Sequence, residues 1–499
     1  MKAFALVVVA VVGLPASLAL AEPPASVVLN PHVKTDKSVD TSTIDAILAG
    51  LVKRGMTDEQ KVLACFHWTR RLLVHGDGPR ELAYDFHKMI NIMGNGSCLR
   101  QTTPLAELLK RLGYEVESWA HDGHHMMQVK YGGQWHCLDP HMCFYVYDRA
   151  TPPVLASIQQ LQDDPSLSLE AVKEQRACPG FLLCGDGPET FAGKGGKWVR
   201  EGPFPKLTID EPFGRIALPR GASYVRTWQV GSVWFKRGSW MPQSGPVHNC
   251  GRRDNKDLVN WPLYEPHVAA INNGLYYRHW ADGWIAYKPN LRGDHYLDAV
   301  VSRDNLQHDA ARGLVAADAG KPANNPHQLM ADKPGEVVFA VDCPYVMTAG
   351  DLSLAKPLQG KLSAGVSIDK GKTWKPVELA EKDGRLAASF VDEINGSFEG
   401  YRLKLTLEGG AAVDGLELAS HFQLNPYSLP YLVPGENVVS VEGERFGSPL
   451  TVQWQHAEGP EWKEIKKVVQ EFTKAGQFTI RVNGEKYPRN VALTLSVAP

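Results

Sequence analysis

The sequence predicts an α+β protein, with a helix-and-hairpin core near its N-terminus followed by β-rich domains. Three observations carry this. Apolar residues recur at helical spacing between residues 41 and 112. Short runs of alternating apolar and polar residues take over from about residue 125. In the second half, Gly- and Asp-rich turns separate those runs.

Taken in order, residues 1–21 carry Lys2, an apolar run from Ala3 to Leu14 and Ala19-Leu20-Ala21 before Glu22. That is the pattern of a secretory signal peptide cleaved after Ala21, so a secreted or periplasmic protein is expected. No cysteine stands at the cleavage site to take a lipid, and no later segment is apolar enough to predict a membrane span. Residues 22–40 are read as an N-terminal linker. Ile44, Ile47, Leu48 and Leu51 then mark one helix, and a second, N-capped near Thr57, carries Val62, Leu63, Phe66, Trp68 and Leu73. A third helix holds Leu105, Leu108, Leu109 and Leu112, closed by Gly113; Pro104 predicts its start, with Thr103 as N-cap. Met127, Val129 and Tyr131 alternate toward Gly132-Gly133, and Trp135, Cys137 and Asp139 return, which makes a hairpin. If Tyr131 pairs with Gln134, His124 and Asp139 become diagonal neighbours on one face.

Chemistry concentrates in residues 94–140. A thiol attacks as its thiolate, and a neighbouring imidazole is the usual means of generating one. A carboxylate on the other ring nitrogen holds that imidazole in the right tautomer. Cys98 is the candidate nucleophile, His124 the base and Asp139 the orienting carboxylate. His125, Asn95 and Trp135 are candidate accessory residues, with Asn91 or Asn95 considered as an oxyanion donor beside the Cys98 amide. His121, His136, His141, Asp122, Cys137 and Cys143 crowd the same span. Lacking C-x-x-C or H-E-x-x-H spacing, they are not read as a metal site, and no cofactor is called for.

GSC, a leucine-rich helix ending in LG, GHxMxxV and GxWxxLDP, in that order over roughly residues 40–145, resemble the transglutaminase-like superfamily of Cys-His-Asp enzymes. The resemblance implies a core related to papain-like cysteine proteases and acyl transfer from an amide through a thioester, with Cys98, His124 and Asp139 as its triad. It also selects His124 over His125, because Gln128 and Val129 follow at the family's spacing; Gln128 stands where the family has an acidic residue.

Residues 41–150 are therefore expected to be the catalytic core and 151–200 an insertion or bridge. Residues 201–335 form a Trp-rich β-containing region with Trp228, Trp234, Trp240, Trp261, Trp280 and Trp284. Its rings serve a β core or a glycan platform. Residues 336–425 read as an immunoglobulin-like sandwich bearing one Asp-box, Ser367 to Trp374, and 426–499 as a C-terminal β domain set off by Pro426, Pro430 and Pro434. Eight cysteines in an exported chain make pairing relevant, with Cys137–Cys143 and Cys178–Cys184 as short-loop candidates. A net charge of −2 in 499 residues leaves no footprint for nucleic acid. The functional expectation is an exported cysteine enzyme acting on an amide or isopeptide of a protein, peptide or cell-wall substrate, hydrolytic rather than cross-linking. The alternatives are a non-catalytic cell-surface or glycan-binding protein, or a polysaccharide-active enzyme using the same cleft.

Overall fold

The computed structural model describes residues 23–75, 84–121, 124–171, 173–177, 197–230, 235, 280–316 and 333–499. The segment 1–21 expected to be a signal peptide, Asp122, Cys178, Cys184, Cys250, Trp234, Trp240 and Trp261 lie outside them.

The α+β expectation is overturned: the protein is mostly β, with 17% helix and 44% strand. Helices do form where the periodicity predicts them. Thr43 caps Ile44–Leu51 by accepting from the Ala46 amide. Thr57 and Gln60 form a reciprocal capping box at Asp58–Leu72. Leu105, Leu108 and Leu109 of the helix Cys98–Arg111 bury against Val62, Phe66, Met127 and Val129. These helices are short and confined to the first quarter of the chain, whereas strands from all later regions combine into large sheets.

The largest sheet has nine strands, antiparallel throughout. From one edge they run Ala380–Lys382, Arg385–Phe390, Val346–Ala355, Glu417–Leu424, Ala281–Tyr287, Ala222–Val230, Arg489–Val497, Leu450–Glu458 and Glu464–Phe472. Trp284 pairs with His421 and Val225 with Thr494, so the sheet is continuous across residues 425–435. A five-stranded sheet built on Gly335–Val341, Tyr401–Glu408 and Lys361–Ser367 packs against it. Tyr401, Leu403, Leu405 and Leu407 alternate inward, with Phe390 meeting Tyr401 edge-on at 5.7 Å and Tyr287 meeting Phe339 at 6.1 Å. Each such ring taken from water contributes about 1.5–3 kcal/mol. At Gly350 even a methyl group would stand 2.2 Å from the Phe390 ring, so the residue is small because the ring of its cross-strand partner fills its place.

The Asp-box segment is a tight hairpin device. Asp369 accepts from the Thr373 amide and hydroxyl at 2.9 and 2.6 Å, Gly371 takes φ 90°, and Lys404 lies 4.7 Å over the Trp374 ring. Of the tryptophans between 201 and 335, Trp228 and Trp280 are buried, Trp228 stacking on Trp454 at 5.9 Å; their faces are closed to a sugar. Among the described residues no helix is long and apolar enough to cross a membrane.

Candidate functional site

The chain reaches Cys98 through a π-helical turn, Met89–Met93, closed by Gly94 at φ 61° with its amide on the Met89 carbonyl. The strand Asn95–Gly96 follows, pairing in parallel with Val74–His75. Ser97 is the N-cap and Cys98 the first residue of the helix. Helix Cys98–Arg111 therefore runs through Pro104, against the predicted start at Thr103. The ring removes the backbone bond to the Arg100 carbonyl; nearby, Thr102 donates to the Cys98 and Leu99 carbonyls at 3.1 Å, and Thr103 to Leu99 at 2.6 Å. Cys98 thus stands at the positive end of the helix dipole, where the first-turn amides have no helical acceptor.

The hairpin has the register that brings base and carboxylate together. Tyr131 pairs with Gln134 and Met127 with Leu138, which sets His124 diagonally across from Asp139. His124 Nε2 lies 2.6 Å from Asp139 Oδ2. Asp139 is fully buried, and its Oδ1 accepts from the His141 and Met142 amides at 2.9 and 3.0 Å. The Cys98 side chain also acts on this imidazole, favouring its charged form. Burial pulls the His124 pKa down, but the charge and hydrogen bond of Asp139, joined by Cys98, outweigh it and raise it to about 10. Burial likewise opposes ionisation of Asp139, yet His124, His141 and the Met142 amide hold the carboxyl below its ordinary range. The imidazole is accordingly cationic at neutral pH. Cys98 is a free thiol, and the residue is partly exposed.

The accessory residues separate. His125, turned to the opposite face by strand alternation, pairs with Glu201 at 3.1 Å. Trp135 sits at the turn end of the hairpin under Lys130, 5.7 Å from its ammonium, and six residues of strand, about 20 Å, separate Lys130 from His124. Asn95 is buried three residues before Cys98. Asn91 is committed to structure: its Nδ2 donates to the His87 carbonyl and its Oδ1 accepts from Thr41. His136 bonds the Leu155 and Tyr131 carbonyls, and His121 packs on Trp198 at 5.1 Å. Among the described residues, no three His, Cys, Asp or Glu side chains converge to hold a metal ion. Cys137 and Cys143 are both buried free thiols, so the short loop between them is not bridged; Cys137 lies against Met126 sulfur at 3.4 Å instead.

The sequence did not disclose how residues outside the triad support the site. Trp198, from the expected bridge, meets the His124 ring edge-on at 5.8 Å. The next residues, Val199–Arg200, add a fourth strand to the hairpin sheet beside Glu115–His121. Gln128 is buried, its side-chain oxygen accepting from the Ile158 amide at 2.8 Å. Trp280 donates to the Met93 carbonyl at 2.6 Å. Asn425 donates to the carbonyls of Ile90 and Leu72 at 2.7 and 3.2 Å, while its own amide bonds the Asn91 carbonyl. Trp280 and Asn425 flank adjacent strands of the nine-stranded sheet, where Ala281 pairs with Leu424. The end of that sheet therefore grips the turn that delivers Cys98. The Asn425-Pro426 dipeptide was legible only as punctuation.

No family model matches the chain, and no curated protein matches it.

Proposed function

We propose that the protein is a cysteine acyl-transfer enzyme of transglutaminase-like type, acting on an amide or isopeptide through a thioester, with water as the acceptor. The observation that supports this is the single imidazole held between a buried carboxylate at 2.6 Å and a partly exposed thiol at a helix N-terminus.

In this reading Cys98 sulfur, as the thiolate whose proton rests on His124, attacks the amide carbonyl carbon and a C–S bond forms. Charge developing on the carbonyl oxygen meets the Cys98 amide at the helix start. The proton on His124 passes to the leaving nitrogen as the C–N bond breaks, leaving a thioester. Water then gives a proton to His124 and adds to the thioester, the C–S bond breaks, and release of the acid restores the thiolate beside the protonated imidazole. Asp139 keeps Nε2 protonated, so Nδ1 faces the reacting atoms throughout. The resemblance to the transglutaminase-like superfamily supports the same roles.

The test is iodoacetamide labelling of the mature protein across pH, with peptide mapping. The expected result is selective labelling of Cys98 well below the ordinary thiol range of about 8.5, lost in His124→Ala. Labelling of Cys98 that is indifferent to His124→Ala would refute the reading. Incubation of a glutamine peptide with and without a fluorescent amine then separates release of ammonia from amine incorporation.

A further inference from the structure

A second polar cavity, of about 40 Å³, opens between the segment 31–42, the strand Ala222–Val230, Tyr345 and the turn at 428–430. That is room for a few waters or one small ion. Arg226 lines it and is more than nine-tenths buried, at 9% exposure. Its Nε has no hydrogen-bond partner, and among the described residues no carboxylate forms an ion pair with it. A guanidinium out of water without a counter-charge is costly, by several kcal/mol in general.

The fold nevertheless holds this cation firmly. Arg226 pairs with Gly283 on one side and Leu493 on the other, inside the nine-stranded sheet. Its guanidinium carbon lies 5.3 Å from the Tyr224 ring centre, and Tyr345 lines the same cavity. Tyr345 in turn is stacked on Phe422 at 5.0 Å. These contacts orient the guanidinium without neutralising it. Asp40, a carboxylate in the same wall, is engaged by His32 at 3.0 Å and by the Ser42 amide at 2.9 Å. Lys34, also in the wall, pairs with Glu442 at 2.7 Å. Among the described residues Arg226 is thus the cation of this wall that pairs with no carboxylate.

We propose that this cavity binds a small oxyanion, a phosphate or a carboxylate group, through the forked donors of Arg226. A guanidinium presents two parallel N–H groups that match such an anion bidentately. Asn91 also lines the cavity, so the site abuts the turn that leads to Cys98.

The experiment is thermal unfolding of the mature full-length protein titrated with potassium phosphate and, separately, potassium acetate, at ionic strength held constant with chloride. The expected result is a saturable rise in Tm of about 2–4 °C over the chloride control. Saturation by phosphate alone identifies a phosphate site, and by acetate alone a carboxylate site. Arg226→Gln should abolish the rise, and Arg226→Lys, which keeps the charge but not the fork, should weaken binding about tenfold. Ser38→Leu, which fills the cavity from a half-buried position and leaves the guanidinium in place, should abolish it too. No saturable rise in the wild type with either anion overturns the proposal, as does a rise that survives Arg226→Gln or Ser38→Leu unchanged.

Discussion

The Cys98 centre and the Arg226 cavity share one turn of chain yet are assembled by opposite routes. His124 and Asp139 lie fifteen residues apart and meet because one hairpin has one register. Arg226, Asp40 and Tyr345 come from widely separated segments that meet only when the nine-stranded sheet closes over residues 31–42. The difference teaches where each site is vulnerable. The hairpin pair depends on short-range chain geometry, with little loop-closure entropy to overcome. The approach of Cys98 and the whole of the cavity depend on long-range packing. Substitutions at the sheet end should therefore disturb the delivery of Cys98 while leaving the histidine–carboxylate pair intact.

The largest expected effect breaks the local side of this comparison. His124→Ala should slow Cys98 alkylation at pH 7 on the order of a hundredfold, read by peptide mapping, because the thiol loses its proton partner. Asp139→Asn should slow it roughly tenfold, since the ring loses its orienting charge while the amide side chain keeps most of the geometry.

That same variant carries a pH signature. The folded pKa of His124 is raised from 6.5 to about 10, so the interaction contributes fully below pH 6.5 and is lost as pH rises through about 10. Asp139 is lowered from 3.8, so its contribution is present above that value and lost as the carboxyl protonates in acid. The stability advantage of wild type over Asp139→Asn, measured by urea denaturation, should be greatest between about pH 4 and 6.5 and should shrink toward pH 10. A difference that is constant across that range would show that the two groups do not share charge.

The long-range side is tested next. Asn425→Ala leaves the Ile90 and Leu72 carbonyls without their donor and should cost about 2–4 kcal/mol, seen as a lower urea midpoint at unchanged slope. Cys98 alkylation should lose selectivity in the same variant. Gly94→Ala should cost about 2 kcal/mol, because an added methyl at φ 61° would stand 2.8 Å from the Asn425 side chain. The smallest effect belongs to Trp135→Ala, which should change alkylation less than twofold, since this ring lies at the far end of the hairpin. A large loss there would mean that the hairpin is read wrongly from end to end.

The sequence by itself determined the local elements. The N-cap at Thr57, the leucine-rich helix, the Gly132-Gly133 hairpin and the order Cys98, His124, Asp139 were all legible, because period, capping and turn chemistry act within a few residues. Only the tertiary structure decided the rest. It made the protein mostly β rather than α+β, since each strand's partners lie far off in sequence and no window records which strands will pair. It carried a helix through Pro104, placed Trp280 and Asn425 under the nucleophile turn, and buried Arg226 without a counter-charge among the described residues. Each of these depends on which distant groups are brought within hydrogen-bonding or van der Waals reach, a property of the closed chain and not of any stretch of it.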